Sequence, residues 1–292
     1  MTAKKILVGY DGTPDARRAA RWALDEAARS GAEVEFFYAY DWPSYLPPAA
    51  MTPARAVWPG SDVDRTIEDS VADIARSAAV SHPAVPVGTL VERAPAAAAL
   101  IERSEDAGLV VLGSRGHSAV AGLLGSVTVA VTAGAHCPVV VVRGKPAPRE
   151  PIVVGVDHSE GALHALSFAF EQAAAHDVPL HVIRAWMPPA FDHYGSAGTM
   201  DVVMADERQD VSDLVDRWRE KFPAVHAMGK VLFAHPAYAL TEASMDAQLV
   251  VVGTRGRGAF RGTLLGSVSQ HLLHHAESSV AVIRESGGPA PS

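Results

Sequence analysis

A chain of 292 residues has the length of about two domains. Its composition, 48% hydrophobic and 20% charged, excludes an intrinsically disordered protein. The net charge of −8 argues against nucleic acid or an anionic membrane as the main partner, so an anionic ligand would have to rely on local positive fields.

The cellular location is predicted from the cysteine content and the N-terminus. Cys137 is the single cysteine, which excludes an internal disulfide and fits a reducing compartment. The first residues lack the apolar run of a signal peptide, and no segment approaches the roughly 18 apolar residues of a membrane span. We therefore predict a cytoplasmic protein.

Strand and helix patterns alternate along the first half. Thr13 and Pro14 are typical of an N-cap and first helical residue, and Gly31 of a helix end. The predicted strands cover 6–11, 34–40, 87–91, a run from Leu109, and 139–142. Besides the helix between Pro14 and Gly31, the predicted helices cover 63–80, 95–104 and a segment ending near 135. The stretch 41–60, rich in Pro and Trp, predicts a functional lid or an interaction surface.

The second half repeats this plan after a proline-rich linker at 145–151. We assign domain 1 to 1–144, domain 2 to 152–285 and a flexible tail to 286–292. The predicted strands cover 152–157, 180–185, 229–233, 249–252 and 280–283; the helices follow an alanine-rich face over 162–174 and then 202–222, 237–244 and a segment from 267. This alternation predicts an α/β fold of two tandem Rossmann-like domains, each a five-stranded parallel sheet with helices on both faces.

A glycine-rich loop between a buried strand and a helix occurs once in each half. In the second half it runs from Leu249 to Ser267, and in the first from Leu109 to Ser126. Glycines let backbone N–H groups approach an oxyanion, and a helix start adds unpaired N–H groups and a favourable dipole. The second loop also carries Arg255, Arg257 and Arg261 and no acid. Each loop is therefore a candidate phosphate site.

A carboxylate follows the first strand of each half: Asp11 in the first and Asp157 in the second. Ligands of open parallel sheets bind beyond the carboxyl ends of the strands, where the strand order reverses. If the first and fourth strands are neighbours, an acid faces a phosphate cradle across one crevice per half, which suits a nucleotide. The alternative is that both aspartates are turn residues that cap the next helix.

The pattern Gly253-x2-Gly256-x9-Gly266-Ser267 resembles the ATP-binding signature of the universal stress protein family, in its tandem two-domain form. The resemblance covers almost the whole chain and implies a fold of the adenine nucleotide alpha hydrolase type. It also implies that Asp11 and Asp157 contact the nucleoside and that the loops take the phosphates. The implied site residues are Gly9, Asp11, Ala39, Gly113, Ser114, Arg115, Gly116, Gly125, Ser126 and Val127 in the first half, and Gly155, Asp157, Ala185, Gly253, Thr254, Arg255, Gly256, Arg257, Gly266, Ser267 and Val268 in the second.

The first loop departs from this signature. Eight residues separate Gly116 from Gly125 where the family has nine, and His117 and Ser118 stand where the second loop has Arg257 and Gly258. Because the first loop is shorter and less basic, we expect the first site to bind more weakly than the second or to hold its ligand in another pose.

Other chemistry finds little support. His271, His274 and His275 have a spacing that can bind metal, but no Cys completes the ligand set and Glu277 is the one acid nearby, so no metal site is assigned. The sequence has no P-loop and no G-x-S-x-G motif, and no general base is evident. These observations favour binding over turnover, and we predict a protein that is not an enzyme, with slow ATP hydrolysis left open.

The resemblance thus implies an ATP-binding stress-response protein with one site per domain, with or without Mg²⁺. The alternatives are an interaction module with vestigial sites, a slow ATPase and a cyclic-nucleotide binder. Besides an adenine nucleotide, the expected partners are unidentified proteins and a second copy of the chain. The family likeness also implies that the strands 139–142 and 280–283 either pair the two halves or form a dimer edge.

Overall fold

The computed structural model describes residues 5–40, 60–116, 124–144, 147, 149–187, 197–254, 256 and 265–284. The chain divides into two compact units, Met1–Val131 and Thr132–Ser292. Within the described residues, no helix combines the length and apolar character that crossing a bilayer requires.

The first unit is a parallel sheet with strand order β3-β2-β1-β4. The strand order reverses between β1 and β4, which creates the expected switch point at their carboxyl ends. The elements are β1 (Ile6–Gly9), α1 (Pro14–Ser30), β2 (Val34–Tyr40), α2 (Gly60–Ser81), β3 (Val87–Arg93), α3 (Ala96–Arg103), β4 (Leu109–Gly113) and α4 (Ser126–Gly134), the last of which continues into the second unit.

The second unit repeats this arrangement, with parallel strands in the order β10-β9-β6-β7-β8. The elements are β5 (Val139–Val142), β6 (Ile152–Gly155), α5 (Glu160–His176), β7 (Leu180–Trp186), α6 (Ala197–Lys221), β8 (Ala227–Phe233), α7 (Pro236–Ala243), β9 (Leu249–Gly253), α8 (Ser267–His275) and β10 (Ser279–Ile283).

The strand β5 pairs with a strand of the other repeat. It ends the first repeat in sequence but lies in the second unit, where it pairs antiparallel with β10 through Val280 and Val141. The last strands of the two repeats therefore pair with each other, one of the two arrangements that the family likeness implied. All four residues of β5 are buried valines, as a strand covered on both faces requires.

Two equivalent arginines close the last helix of each repeat. Arg143 follows β5 and donates to the carbonyl oxygens of Leu273 at 2.5 Å and His274 at 3.2 Å, at the end of α8. Arg284 follows β10 and donates to the carbonyl oxygen of Ala133 at 2.5 Å, at the end of α4. The last carbonyls of a helix have no partner within the helix, so each arginine satisfies groups that would otherwise depend on water.

The first helix of each repeat begins where its cap was predicted or implied. Thr13 caps α1 by accepting from the amide of Ala16, and Gly31 ends it with a left-handed φ of 71°. Ser159 caps α5 in the same way by accepting from Ala162. These caps fix the direction in which α1 and α5 leave the strands that carry Asp11 and Asp157.

The Pro- and Trp-rich stretch predicted as a lid or interaction surface lies outside the described residues at 41–59, as do residues 188–196 in the second repeat. The helices that follow begin earlier than their apolar patterns predicted: α2 at Gly60 and α6 at Ala197. The tail at 286–292 and linker positions 145, 146 and 148 also lie outside the described residues.

Candidate functional site

Each glycine-rich loop is closed by the same hydrogen bond. The amide of Gly125 donates to the carbonyl of Ser114 at 3.0 Å, and the amide of Gly266 donates to the carbonyl of Thr254 at 2.7 Å. The closing bond therefore spans one residue fewer in the first repeat. The difference in loop length lies inside the closed loop and leaves the strand end and helix start in the same relation.

The closed loop brings a glycine against the carboxylate of the neighbouring strand. A Cβ atom at Gly116 would lie 2.8 Å from Oδ2 of Asp11, and one at Gly256 would lie 2.5 Å from Oδ2 of Asp157. Both distances are shorter than a real Cβ contact, so a side chain at either position would have to displace the carboxylate. The acid and the loop thus face each other in both repeats, as the switch-point argument predicts.

Each carboxylate also organises the turn into its helix. Oδ1 of Asp11 accepts from the amide of Thr13 at 3.0 Å and from its hydroxyl at 2.6 Å. Oδ1 of Asp157 accepts from the amide of Ser159 at 2.9 Å and from its hydroxyl. The turn role that the sequence left as an alternative is therefore present alongside the juxtaposition with the loop.

A pocket of about 450 Å³ opens between these elements in the first repeat. Its walls are the ends of β1, β2 and β4, the start of α3 and the first turn of α4. Nine of the ten predicted first-repeat residues line it, and the exception, Ser114, is buried beneath the loop. The lining members among the predicted residues are Gly9, Asp11, Ala39, Gly113, Arg115, Gly116, Gly125, Ser126 and Val127.

The glycine at the end of the first strand makes room for leucine side chains. A Cβ at Gly9 would lie 2.4 Å from Leu112 and 3.3 Å from Leu100, and both leucines line the pocket. A Cβ at Gly155 would likewise lie 2.6 Å from Leu240. Apolar side chains thus fill the space beside these glycines, and in the first repeat they form one wall of the pocket.

Aromatic residues that sequence reasoning did not select line the pocket, three on β2 and one directly after β1. Tyr10, Phe37, Tyr38 and Tyr40 all line the pocket. Burial raises the pKa of the Tyr38 hydroxyl, and the charge of Asp11 raises it further, with Tyr10 adding to the effect. Tyr38 therefore keeps its proton at neutral pH and can donate a hydrogen bond. Aromatic faces suit a planar base as well as they suit core packing.

The second repeat replaces Tyr38 by Arg184. This arginine is 5% exposed and donates through Nε to Glu207 on α6 at 2.9 Å. The hydrogen bond from Arg184 lowers the pKa of Glu207 against the opposing effect of burial, and the charges of Arg184 and His158 lower it further. The two repeats therefore differ in polarity beside otherwise equivalent aspartates.

The predicted residues of the second loop are only partly described. Thr254 is buried, Gly256 faces Asp157, and Gly266 precedes the first residues of α8, Ser267 and Val268. Gly253 ends β9, and Gly155 and Ala185 occupy the same positions on β6 and β7 as Gly9 and Ala39 on β1 and β2. Arg255, Arg257 and Arg261, like His117 and Ser118 of the first loop, lie outside the described residues.

The three histidines of α8 lie close together, with His275 exposed and His271 and His274 half-buried. The rings of His271 and His275 are 4.4 Å apart between centroids, and the ring of Tyr238 lies 5.2 Å from His271. Among the residues that the structure describes, no group of three or more potential ligands is arranged to hold a metal ion.

Sequence reasoning missed one charged residue beneath the first loop. Asp15 is buried and accepts hydrogen bonds from Ser114 and Arg115. The signal that could have revealed it is the comparison of the repeats. At the spacing of 146 positions that relates Asp11 to Asp157, position 15 corresponds to Gly161, and a charged residue aligned with glycine marks a real difference between the sites.

The model of the universal stress protein family matches residues 2–143 and 148–284. The chain belongs to the universal stress protein family. The two matched segments correspond to the two sequence repeats, so the chain carries two universal stress protein domains in tandem. The Rossmann-like α/β fold predicted for each repeat is confirmed by this match and by the structural relatives.

Relatives with the same tandem arrangement occur in mycobacteria. A universal stress protein of Mycobacterium tuberculosis is 32% identical over 304 residues, with 96% of each chain covered. One from Mycolicibacterium smegmatis is 32% identical over 295 residues, again with 96% of each chain covered. The crystal structure of a universal stress protein from Archaeoglobus fulgidus superposes with a TM-score of 0.68 at 16% identity, covering 97% of this chain and 99% of that one.

Proposed function

We propose that this chain is an ATP-binding regulatory protein with one adenine-nucleotide site in each universal stress protein domain. The observation that carries the proposal is the duplicated contact of the loop with the acid, Gly116 on Asp11 and Gly256 on Asp157. An accidental turn in one repeat would not have to recur in the other. Membership of the family supports the same conclusion.

The chemistry of the first pocket suits an adenine nucleotide. The aromatic and aliphatic wall can hold the base, and Oδ2 of Asp11 can accept from ribose or base donors. Ser126 and Val127 begin α4, and the first amides of a helix have no acceptor within it, so they can donate to phosphate oxygens. The volume of about 450 Å³ is within the range of pockets that hold small ligands.

We propose binding without efficient turnover. Asp11 is the one carboxylate among the described lining residues, and its Oδ1 accepts two hydrogen bonds from Thr13. A general base for hydrolysis has to reach an attacking water, whereas Asp11 is engaged in shaping the turn. The nucleotide would act by changing the conformation of the protein or its contacts with partners, such as another copy of this chain.

The test combines mass spectrometry with calorimetry. Small molecules released from the purified, denatured protein should include an adenine nucleotide. In calorimetry the wild type should bind two nucleotides, Asp11→Ala or Asp157→Ala should each bind one, and the double variant should bind none. Asp25→Ala removes an exposed carboxylate of α1 and should leave both sites intact.

Unchanged ATP binding in the double variant would rule out both sites. Hydrolysis is tested in the same proteins. Wild-type ADP release should not exceed that of the double variant, and a clear excess would make the protein an ATPase and contradict the proposed absence of turnover.

A further inference from the structure

The first glycine-rich loop lies over a buried negative charge. Asp15, in the first turn of α1, is 6% exposed. Its Oδ2 accepts from the hydroxyl of Ser114 at 2.8 Å and from Nε of Arg115 at 3.2 Å, and its Oδ1 accepts from Arg18 at 2.7 Å. A carboxylate is thus fixed directly behind the two residues that follow β4.

This carboxylate is ionised at neutral pH. Burial opposes its ionisation, but the hydrogen bonds from Ser114 and Arg115 and the charges of Arg18 and Arg115 lower the pKa of Asp15 below its ordinary value. A fixed charge in a partly buried position is screened much less than one on the surface. The charge of Asp15 therefore contributes to the electrostatic potential at any ligand that the loop binds.

Asp15 also forms an ion pair with the basic residue of the loop, Arg115. Arg115 is the single Lys or Arg between Gly113 and Ser126, and its Nε is directed to the carboxylate rather than to the pocket alone. Gly113 permits this arrangement, because a Cβ there would lie 2.7 Å from the carbonyl carbon of Asp15. The start of α1 can therefore pack closely against the end of β4.

The second repeat lacks this charge. The positions that match Asp11, Thr13 and Ala16 are Asp157, Ser159 and Ala162, so the position that matches Asp15 is Gly161. Gly161 is buried in the first turn of α5 and has no side chain to place beneath the second loop. That loop also contains three arginines. The local field at the two loops differs by one buried negative charge and at least two basic residues.

We propose that Asp15 sets the ligand charge that the first site accepts, so that this site prefers adenine nucleosides and monophosphates while the second site takes the triphosphate. This proposal rests on the adenine-nucleotide sites proposed above. Repulsion by Asp15 grows with each phosphate that the ligand carries, whereas the contacts of the base are the same for all of them. Asp15 is a specificity-determining residue, and its effect lies in the ratio of affinities.

The test uses the full chain with Gly256→Glu, which closes the second site by pushing a side chain into Asp157. Calorimetry without magnesium measures adenosine, AMP, ADP and ATP at constant ionic strength. Asp15→Asn keeps the shape of the side chain and one of its two acceptor oxygens, and it removes the charge. The ATP-to-adenosine affinity ratio should rise on the order of tenfold, as expected when one charge is removed from a partly buried site beside the ligand.

The adenosine affinity is the internal control for folding, and it should change less than about twofold because adenosine carries no charge. Asp25→Asn removes the same charge from an exposed position on the same helix and should leave the ratio unchanged. The difference in ATP-to-adenosine affinity ratio between Asp15→Asn and its parent should also become smaller at high salt. A purely structural effect of the substitution would not depend on salt in this way.

An unchanged ATP-to-adenosine ratio in Asp15→Asn would overturn the proposal. If that variant loses adenosine binding as well, the reciprocal substitution decides: Gly161→Asp in a chain closed at the first site by Gly116→Glu should lower the ratio at the second site. No change there would overturn the proposal. Failure of the parent protein to bind any of the four ligands would instead defeat the proposed nucleotide site itself.

Discussion

At the scale of single residues, each site aspartate divides its two oxygen atoms between different tasks. One oxygen of Asp11 accepts from Thr13, and the other lies against Gly116 at the loop. The first contact holds the carboxylate still, and the second directs it toward the crevice. A carboxylate that is already fixed loses little additional conformational freedom when a ligand binds, which lowers the entropic cost of binding.

The absence of a side chain at Gly116 can be tested directly. Gly116→Ala would place a Cβ 2.8 Å from Oδ2 of Asp11, whose Oδ1 is anchored by Thr13. Displacing the carboxylate should weaken nucleotide binding at the first site by tenfold or more, about 1.4 kcal/mol, as calorimetry would show.

The matched control is Gly88→Ala on β3, where nothing lies within 4 Å of the new methyl group. Nucleotide binding should be unchanged there, since β3 contributes no residue to the pocket. Equal nucleotide affinities in the two variants would contradict the assignment of Gly116 to the site.

Residue-level prediction from sequence succeeded where the signal was local. The caps at Thr13 and Gly31 follow from short-range chemistry, and both were predicted. Asp15 was missed because its role depends on the packing of α1 against the loop after β4, about 100 positions away. Tyr38 was missed because a tyrosine in a strand is first interpreted as core.

At the scale of elements, the ends of the helices depend on groups distant in sequence. Arg143 contacts the carbonyl oxygens at the end of α8. Arg284 makes the corresponding contact at the end of α4. Each arginine follows the last strand of one repeat and closes the last helix of the other, so the stability of these helices depends on the pairing of β5 with β10.

Arg143→Gln should destabilise the protein. The substitution removes charged donors from the carbonyls of Leu273 and His274, and a hydrogen bond from a charged group contributes about 1.5–3 kcal/mol. Partial replacement by water should reduce the loss to about 1–2 kcal/mol, measured by urea unfolding. Arg208→Gln, at an exposed position of α6, should cost less than about 0.5 kcal/mol. A loss no greater than that in Arg143→Gln would contradict the capping role.

The elements themselves were largely predictable. The strand β2 was predicted at its observed bounds, Val34–Tyr40, and β5 at Val139–Val142. The antiparallel direction of the pairing between β5 and β10 could not be predicted, because a run of buried valines has the same pattern in a parallel and an antiparallel pair. The helices α2 and α6 start before the apolar patterns that predicted them, since a first turn needs no continuous apolar face.

At the scale of the whole molecule, stability should fall as the solution becomes mildly acidic. Burial lowers the pKa of His271, and the charges of His275, His235 and His274 lower it further. The unfolded chain then binds a proton near the ordinary value of about 6.5 while the folded protein does not, so acidification below that pH favours unfolding. The effect is modest because His271 is only partly buried.

His271→Gln should reduce this dependence. Between pH 7 and pH 5 the unfolding temperature of the variant should fall less steeply than that of the wild type, as measured by differential scanning calorimetry. His226→Gln replaces an exposed histidine and serves as the control. Identical slopes for His271→Gln and the wild type would show that His271 does not contribute.

The duplicated architecture was visible in the sequence because both repeats keep the same glycines and aspartates at a nearly constant spacing. The inequality of the sites was visible only in part. The shorter first loop suggested weaker binding there. The hydrogen bond between Gly125 and Ser114 nevertheless closes this loop in the same way as the bond between Gly266 and Thr254 closes the longer one. What distinguishes the first loop in the folded protein is the carboxylate of Asp15 behind it, which loop length does not report.

The antiparallel partnership of β5 and β10 has a consequence for dissection of this protein. Cutting the chain in the linker would leave two fragments, each ending in a buried apolar strand whose backbone amides and carbonyls are unsatisfied along one side. Strand edges left unpaired in this way readily form hydrogen bonds with strands of other molecules. Separate halves should therefore reassemble with each other or precipitate.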